Sequence, residues 1–182
     1  TMNNRGKKLS NLELLKNSLI YLTTLFSVEQ SDKDELRKRI NDAWKEIYFQ
    51  LGRNKENPLN DDDFLKAHWT MYFKYSRKTG DDYIHFLLDD YFSPKRVLKE
   101  IDVAIKIKEA QEVRDELLDD VEEDISLDTP QKEKKGLEIG DISLFAESIQ
   151  KASSAWYDTY NPETNQRLTS DERKWLDRLN RL

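Results

Sequence analysis

The sequence predicts an all-α protein, a multi-helix bundle of about six or seven helices with one of them long. Three observations carry this. Apolar residues recur at three- and four-residue steps through most of the 182 residues. Helix-capping signatures stand in front of several of these runs. Gly and Pro number only five and four, fewer breakers than sheets and their turns need.

The elements follow in order. Ser10-Asn11-Leu12-Glu13 reads as a capping box, opening a helix from Asn11 to about Val28 with Leu12, Leu15, Leu19, Leu22 and Phe26 on one face. Ser31 is the expected cap of a second helix, with Asp32 and Asp34 favourable in its first turn. Its apolar stripe is Leu36, Ile40, Ala43, Trp44, Ile47, Tyr48 and Leu51, and Gly52 is the expected stop. After a polar loop, Asn60 or Asp61 opens a third helix with Phe64, Leu65, His68, Trp69, Tyr72 and Tyr75 on or near one face. Thr79-Gly80-Asp81 is a break, and Asp82 to Phe92 reads as a shorter helix. Ser93-Pro94 is a start signal, a cap residue before Pro at the first helical position. Val97, Leu98, Ile101 and Ile105 follow, and no breaker intervenes before about Ser126, which makes this the long helix. Its residues 93–108 carry net +3 and residues 109–124 net −8. Val113, Leu117, Val121 and Ile125 give the acidic half an apolar stripe. Residues 127–140 read as a linker or loop. Asp141 is the expected cap of a helix with Phe145, Ile149, Ala152 and Trp156 on one face, ended by Asn161-Pro162. Thr169-Ser170-Asp171-Glu172 is a second capping box, opening a last helix with Trp175, Leu176, Leu179 and Leu182. Three regions result: a helical region over 1–126, the linker 127–140, and a C-terminal helical pair over 141–182 packed on the first region.

Composition bounds the function. The apolar share is 37% and the charged share 36%, polar for a globular chain, yet the large apolar residues are regularly spaced. With no Cys, disulfides, thiolate metal sites and a Cys nucleophile are excluded. No apolar run approaches the ~20 residues that span a bilayer, and the first ten residues are polar and basic, unlike a signal peptide. The expectation is a cytoplasmic protein without a membrane partner. A net charge of −6 argues against a DNA grip by this chain alone.

Little in the sequence offers chemistry. His68 and His85 are the two histidines, each beside large apolar residues on different predicted helices, and packing or a surface hydrogen bond explains them. Asp61-Asp62-Asp63 lacks the alternation and central Gly of a calcium loop and reads as the first turn of a helix, stabilised by the macrodipole. The Trp and Tyr stripes keep helical period and read as core. The expectation is therefore no catalytic residue, no metal site and no cofactor in this chain. The opening segment is the exception. Residues 1–16 carry net +3, and a basic Gly turn entering a capped helix suits an anion, because unpaired N–H groups and the helix dipole point there. Asn3, Arg5, Gly6 and Lys7 are the candidate border of an anion or nucleotide site. An exposed connecting loop is the alternative.

The same stretch, Asn3-Asn4-Arg5-Gly6-Lys7-Lys8-Leu9-Ser10 running on through Glu13 to Lys16, resembles the N-x-x-G-x-x-L-S/T-x-x-E-L-h-K segment (h apolar) of a known family. This is the ParB/sulfiredoxin-like family typified by the nucleotide-hydrolysing half of GmrSD-type modification-dependent restriction enzymes. Asn3, Gly6, Leu9 and Glu13 match its diagnostic positions. Asp63 to Trp69, Tyr91 to Pro94, Ile142 to Trp156 and Trp175 to Leu179 are similar to the family's following helical region in pattern. The family's D-G-Q-Q-R signature and the Phe expected before Thr1 are not in this sequence. The resemblance implies a non-catalytic helical scaffold or partner-binding region of a larger bacterial restriction or phage-defence protein, continuing an upstream catalytic domain. Nucleotide, divalent metal and DNA would be met only by that full-length protein, and homo-oligomers fit the same picture. The competing expectation is a free-standing helical protein-interaction module.

Overall fold

The computed structural model describes residues 9–54, 58–74, 82–97 and 136–180. All regular structure among them is helical, as the sequence predicts. The predicted long helix beyond residue 97, the linker over 127–135, Tyr75, the break at 79–81 and Leu182 lie outside the described residues.

Helix α1 spans Asn11–Leu25. Its capping box forms as expected: the Glu13 amide donates to Ser10 Oγ at 3.3 Å and the Ser10 amide to Glu13 Oε2 at 3.1 Å. It stops short of Val28 because Phe26 turns extended at φ −68°, ψ 140° and buries its ring. Thr23 and Thr24 donate back to the carbonyls of Ile20 and Tyr21, both at 2.7 Å, competing for the acceptors of the last turn.

Helix α2 spans Gln30–Gly52. Ser31 is not its cap. The Glu29 carbonyl accepts from the Asp32 and Lys33 amides, so the first turn closes before Ser31 could act as cap. The helix ends at Gly52, as expected, but not through a left-handed glycine: Arg53 follows in right-handed geometry at φ −61°, and the Leu59 amide closes the end on the Leu51 carbonyl at 3.0 Å. The predicted stripe is buried at Leu36, Ile40, Ala43, Trp44, Ile47 and Leu51, while Tyr48 lies at the surface. Trp44 pairs its buried indole N–H with the Leu12 carbonyl at 3.0 Å. At the other end Arg37 Nε donates to Thr23 Oγ1 at 2.8 Å. Leu12 with Trp44 and Thr23 with Arg37 make α1 and α2 an antiparallel hairpin.

Helix α3 spans Asp61–Tyr72, with Asn60 as cap accepting from the Asp63 amide at 3.0 Å. Asp61, Asp62 and Asp63 occupy its first turn, at the positive end of the dipole. It ends at Phe73, ahead of Lys74, whose φ of 48° is left-handed. Helix α4 begins as expected with Asp82 as cap, over Tyr83–His85, and then continues as a π-helix over Phe86–Tyr91, which the sequence did not predict. The Phe92 amide reaches the Leu87 carbonyl at 2.9 Å, five residues back. That wider turn brings Phe86 over Tyr91 in a stacked pair, 6.0 Å between centroids. Residues 94–97 form the helical turn announced by Ser93-Pro94.

Helix α5 spans Ile139–Tyr160. Asp141 serves one turn in rather than at the cap, its carboxylate accepting from the Glu138 amide at 2.9 Å. The most extensive helix pairing is α5 against α2. Arg39 donates to Ser143 Oγ at 2.8 Å near their N-termini, and Arg53 sits 3.6 Å over the Tyr157 ring near their C-termini, so the two run parallel. Ile142, Phe145, Ala146 and Ile149 of α5 share one core with α1, α2 and α3. After Asn161 and a 3-10 turn over Pro162–Thr164, helix α6 spans Ser170–Leu179, capped by the predicted Thr169 and Glu172 box.

Candidate functional site

Four helices meet at the start of α1. The Asn11 amide donates to Asp62 Oδ1 of α3 at 3.0 Å, and Asn11 Nδ2 donates to Tyr83 Oη of α4 at 2.9 Å. Glu13 and Asp61 face Tyr48 of α2: burial first, then these two carboxylates, push its phenol up to about 12. Burial also raises Tyr83, with Asp62, Asp63 and Asp61 adding to it and the Asn11 hydrogen bond opposing. Both phenols stay protonated at neutral pH, in a corner with carboxylates on all sides. Asp62 and Tyr83 bind the Asn11 amide and side chain across it, so the corner is a clamp on the α1 N-terminus.

His68 is the titratable residue among the buried polar groups of the described core, which also include Thr23, Gln50, Ser93 and Ser153. It is 4% exposed, with Phe145, Tyr72 and Phe64 rings at 5.1, 5.5 and 6.5 Å. Burial lowers its pKa to about 4, so the ring is neutral at pH 7. Nε2 lies 3.1 Å from Ser148 Oγ, while buried Nδ1 has no partner among the described residues. An unpaired lone pair is cheaper to bury than an unpaired N–H, which places the proton on Nε2, donated to Ser148. A His–Ser contact invites comparison with a hydrolase pair. Here burial keeps the ring a weak base at neutral pH, and among the described residues no acceptor orients Nδ1. His85 is exposed and paired with Asp89 at 2.9 Å; its pKa is raised by hydrogen bonding to its own main chain, then by Asp89, Asp90 and Asp82.

Asn3, Arg5, Gly6 and Lys7 lie outside the described residues. Those that follow them, Leu9 to Glu13, run directly into the clamp. Among the described residues no group of three His, Asp or Glu could hold a metal ion, and no helix is long and apolar enough to cross a membrane. Sequence reasoning missed Asp62, Tyr83 and Ser148 as partners. The first two needed the crossing of α1, α3 and α4, which no local pattern encodes. Ser148 did carry a signal, lying three residues after Phe145 on the predicted face.

Helix α6 is the other feature. It has no buried residue. Arg173 Nη2 donates to the Asn165 carbonyl at 3.1 Å and Asn180 Nδ2 to the Thr159 carbonyl at 2.8 Å, which fixes its inner side. Trp175 and Leu179 consequently face outward, 65% and 58% exposed. Comparison with protein-family models, curated proteins and solved structures returns no match.

Proposed function

We propose that this chain is a non-catalytic helical scaffold, the partner-holding region of a larger bacterial restriction or phage-defence protein. The observation that carries the reading is the clamp at the start of α1, where the Asn11 amide and side chain are bound by Asp62 and Tyr83 and the Leu12 carbonyl by Trp44. The start of α1 is thereby held against α2, α3 and α4, which suits a scaffold. The restriction-type context rests on the resemblance of residues 1–16. In that context an upstream catalytic domain supplies the nucleotide and divalent-metal chemistry and the encounter with DNA. Asn3, Arg5, Gly6 and Lys7 border its anion site.

The reading frame upstream of Thr1 is the test. Continuation into a D-G-Q-Q-R motif is the expected result. A stop codon immediately upstream, with Met2 in a start context, would refute the scaffold of a larger protein. It would leave the second reading, a free-standing interaction module, which the outward Trp175 and Leu179 favour.

A further inference from the structure

We infer that α6 is a self-association surface, through which two copies of this chain pair in antiparallel fashion with the Trp175 side chains at the two-fold axis. With the Arg173 and Asn180 contacts fixing the inner side, helical spacing sends Asp171, Trp175 and Arg178 outward, and Leu179 lies beside them. This face carries Asp171 at its first turn, where Lys174 of the same helix lies 3.7 Å from the carboxylate, Trp175 in its middle and Arg178 at its last turn. The order is self-complementary only when reversed. A parallel pair would set Asp171 on Asp171 and Arg178 on Arg178. An antiparallel pair crossing at Trp175 sets the acidic turn of each copy beside Arg178 of the other, twice per dimer, as an isologous interface requires. The same reversal opposes the two helix dipoles favourably. Trp175 at the centre with charges on either side is the arrangement of a binding core with a polar rim, and Leu179 adds apolar surface at the helix end.

The size of the face sets the strength. Ten residues of helix reach only about 15 Å, well short of the ~800 Å² per partner of a stable complex. Association is therefore weak and concentration-dependent, with dimer appearing as the protein approaches submillimolar concentration.

Sedimentation velocity over a dilution series tests this, with circular dichroism confirming the fold of each variant. The expected result is a reversible monomer–dimer shift in the parent chain and its loss in Trp175→Ser. Leu144→Ser, which removes an equally exposed apolar side chain on α5, leaves the shift unchanged. Asp171→Lys and Arg178→Glu each weaken self-association by roughly tenfold, since each replaces two attractions per dimer with two repulsions. Mixed together, those two variants restore it: the ammonium introduced in one copy then meets the carboxylate introduced in the other, and the unaltered Arg178 and Asp171 pair at the opposite end. Three results would overturn the inference: a parent chain that stays monomeric throughout, which would leave the face to a different protein; an equal effect of Leu144→Ser; or a mixture no stronger than its components.

Discussion

Lowering the pH from 7 towards 4 acts on the core of the bundle through His68. In the unfolded chain this imidazole takes a proton near its ordinary value of 6.5, whereas burial holds it down to about 4 in the fold. As pH falls past 6.5 the unfolded state binds the proton first, and the linkage works against the fold. The contribution is fully favourable above 6.5, declines between 6.5 and 4, and levels off below 4, where both states are protonated. At about 1.4 kcal/mol per pH unit the interval is worth about 3 kcal/mol, a large fraction of the stability of a domain this size. Carboxylates elsewhere and the raised pKa of exposed His85 also respond to pH, so the assay needs a reference that cancels them. His68→Gln supplies it, because the amide can still donate to Ser148 but does not titrate. At pH 7 the variant is less stable by about 1–2 kcal/mol for lost aromatic packing. Urea unfolding at pH 7 and pH 4 then shows the parent chain losing about 3 kcal/mol more than the variant, enough for their order to reverse. Parallel losses in the two proteins would refute the reasoning and show that the ring is hydrated or partnered in the fold.

The other predictions concern the helix ends and the clamp. Ser10→Ala removes the cap of α1, whose face is core, and lowers global stability by about 1 kcal/mol in chemical denaturation. Thr169→Ala removes the equivalent cap of α6, which buries no residue, so the loss appears as faster amide exchange over 170–179 with the denaturation midpoint unchanged. Trp44→Phe keeps an aromatic ring but leaves a small void and the Leu12 carbonyl without its indole donor, at a cost of about 2–3 kcal/mol by urea unfolding. Asp62→Ala removes the acceptor of the Asn11 amide and costs about 1–2 kcal/mol, measured the same way.

The helices were legible in the sequence where their signals are local. Ser10 with Glu13, Asn60, Asp82, Ser93 with Pro94, and Thr169 with Glu172 all act as caps or starts at the expected places, because a cap needs only a side chain two or three residues from the amide it serves. Leu12 to Leu22 and Leu36 to Leu51 face the core as their spacing predicts, since a buried stripe is a property of one helix. What was not legible depends on pairs of helices. The parallel run of α2 and α5 is fixed by contacts a hundred residues apart, such as Arg39 with Ser143. Trp175 has the same helical spacing as buried Trp44, but spacing cannot say whether another element lies opposite, and among the described residues none covers it. Ser31 fails as a cap for a smaller reason: main-chain bonds to the Glu29 carbonyl close that end without it. The candidate anion border at Asn3, Arg5, Gly6 and Lys7 lies outside the described residues.

The π-helix at Phe86–Tyr91 has a bearing on the heading of the chain as it reaches Val97. A π-turn is an α-turn with one residue to spare. Deleting one residue there, at Asp90 for instance, would let the segment relax to ordinary α geometry. The side chains after it would keep their heading, because the wider turn only absorbs the spare residue. Tyr91, Phe92 and the Ser93-Pro94 start signal would stay at the aromatic cluster. One surplus residue is thus taken up within its own turn, and the chain reaches 94–97 on the heading an uninterrupted α-helix would give it.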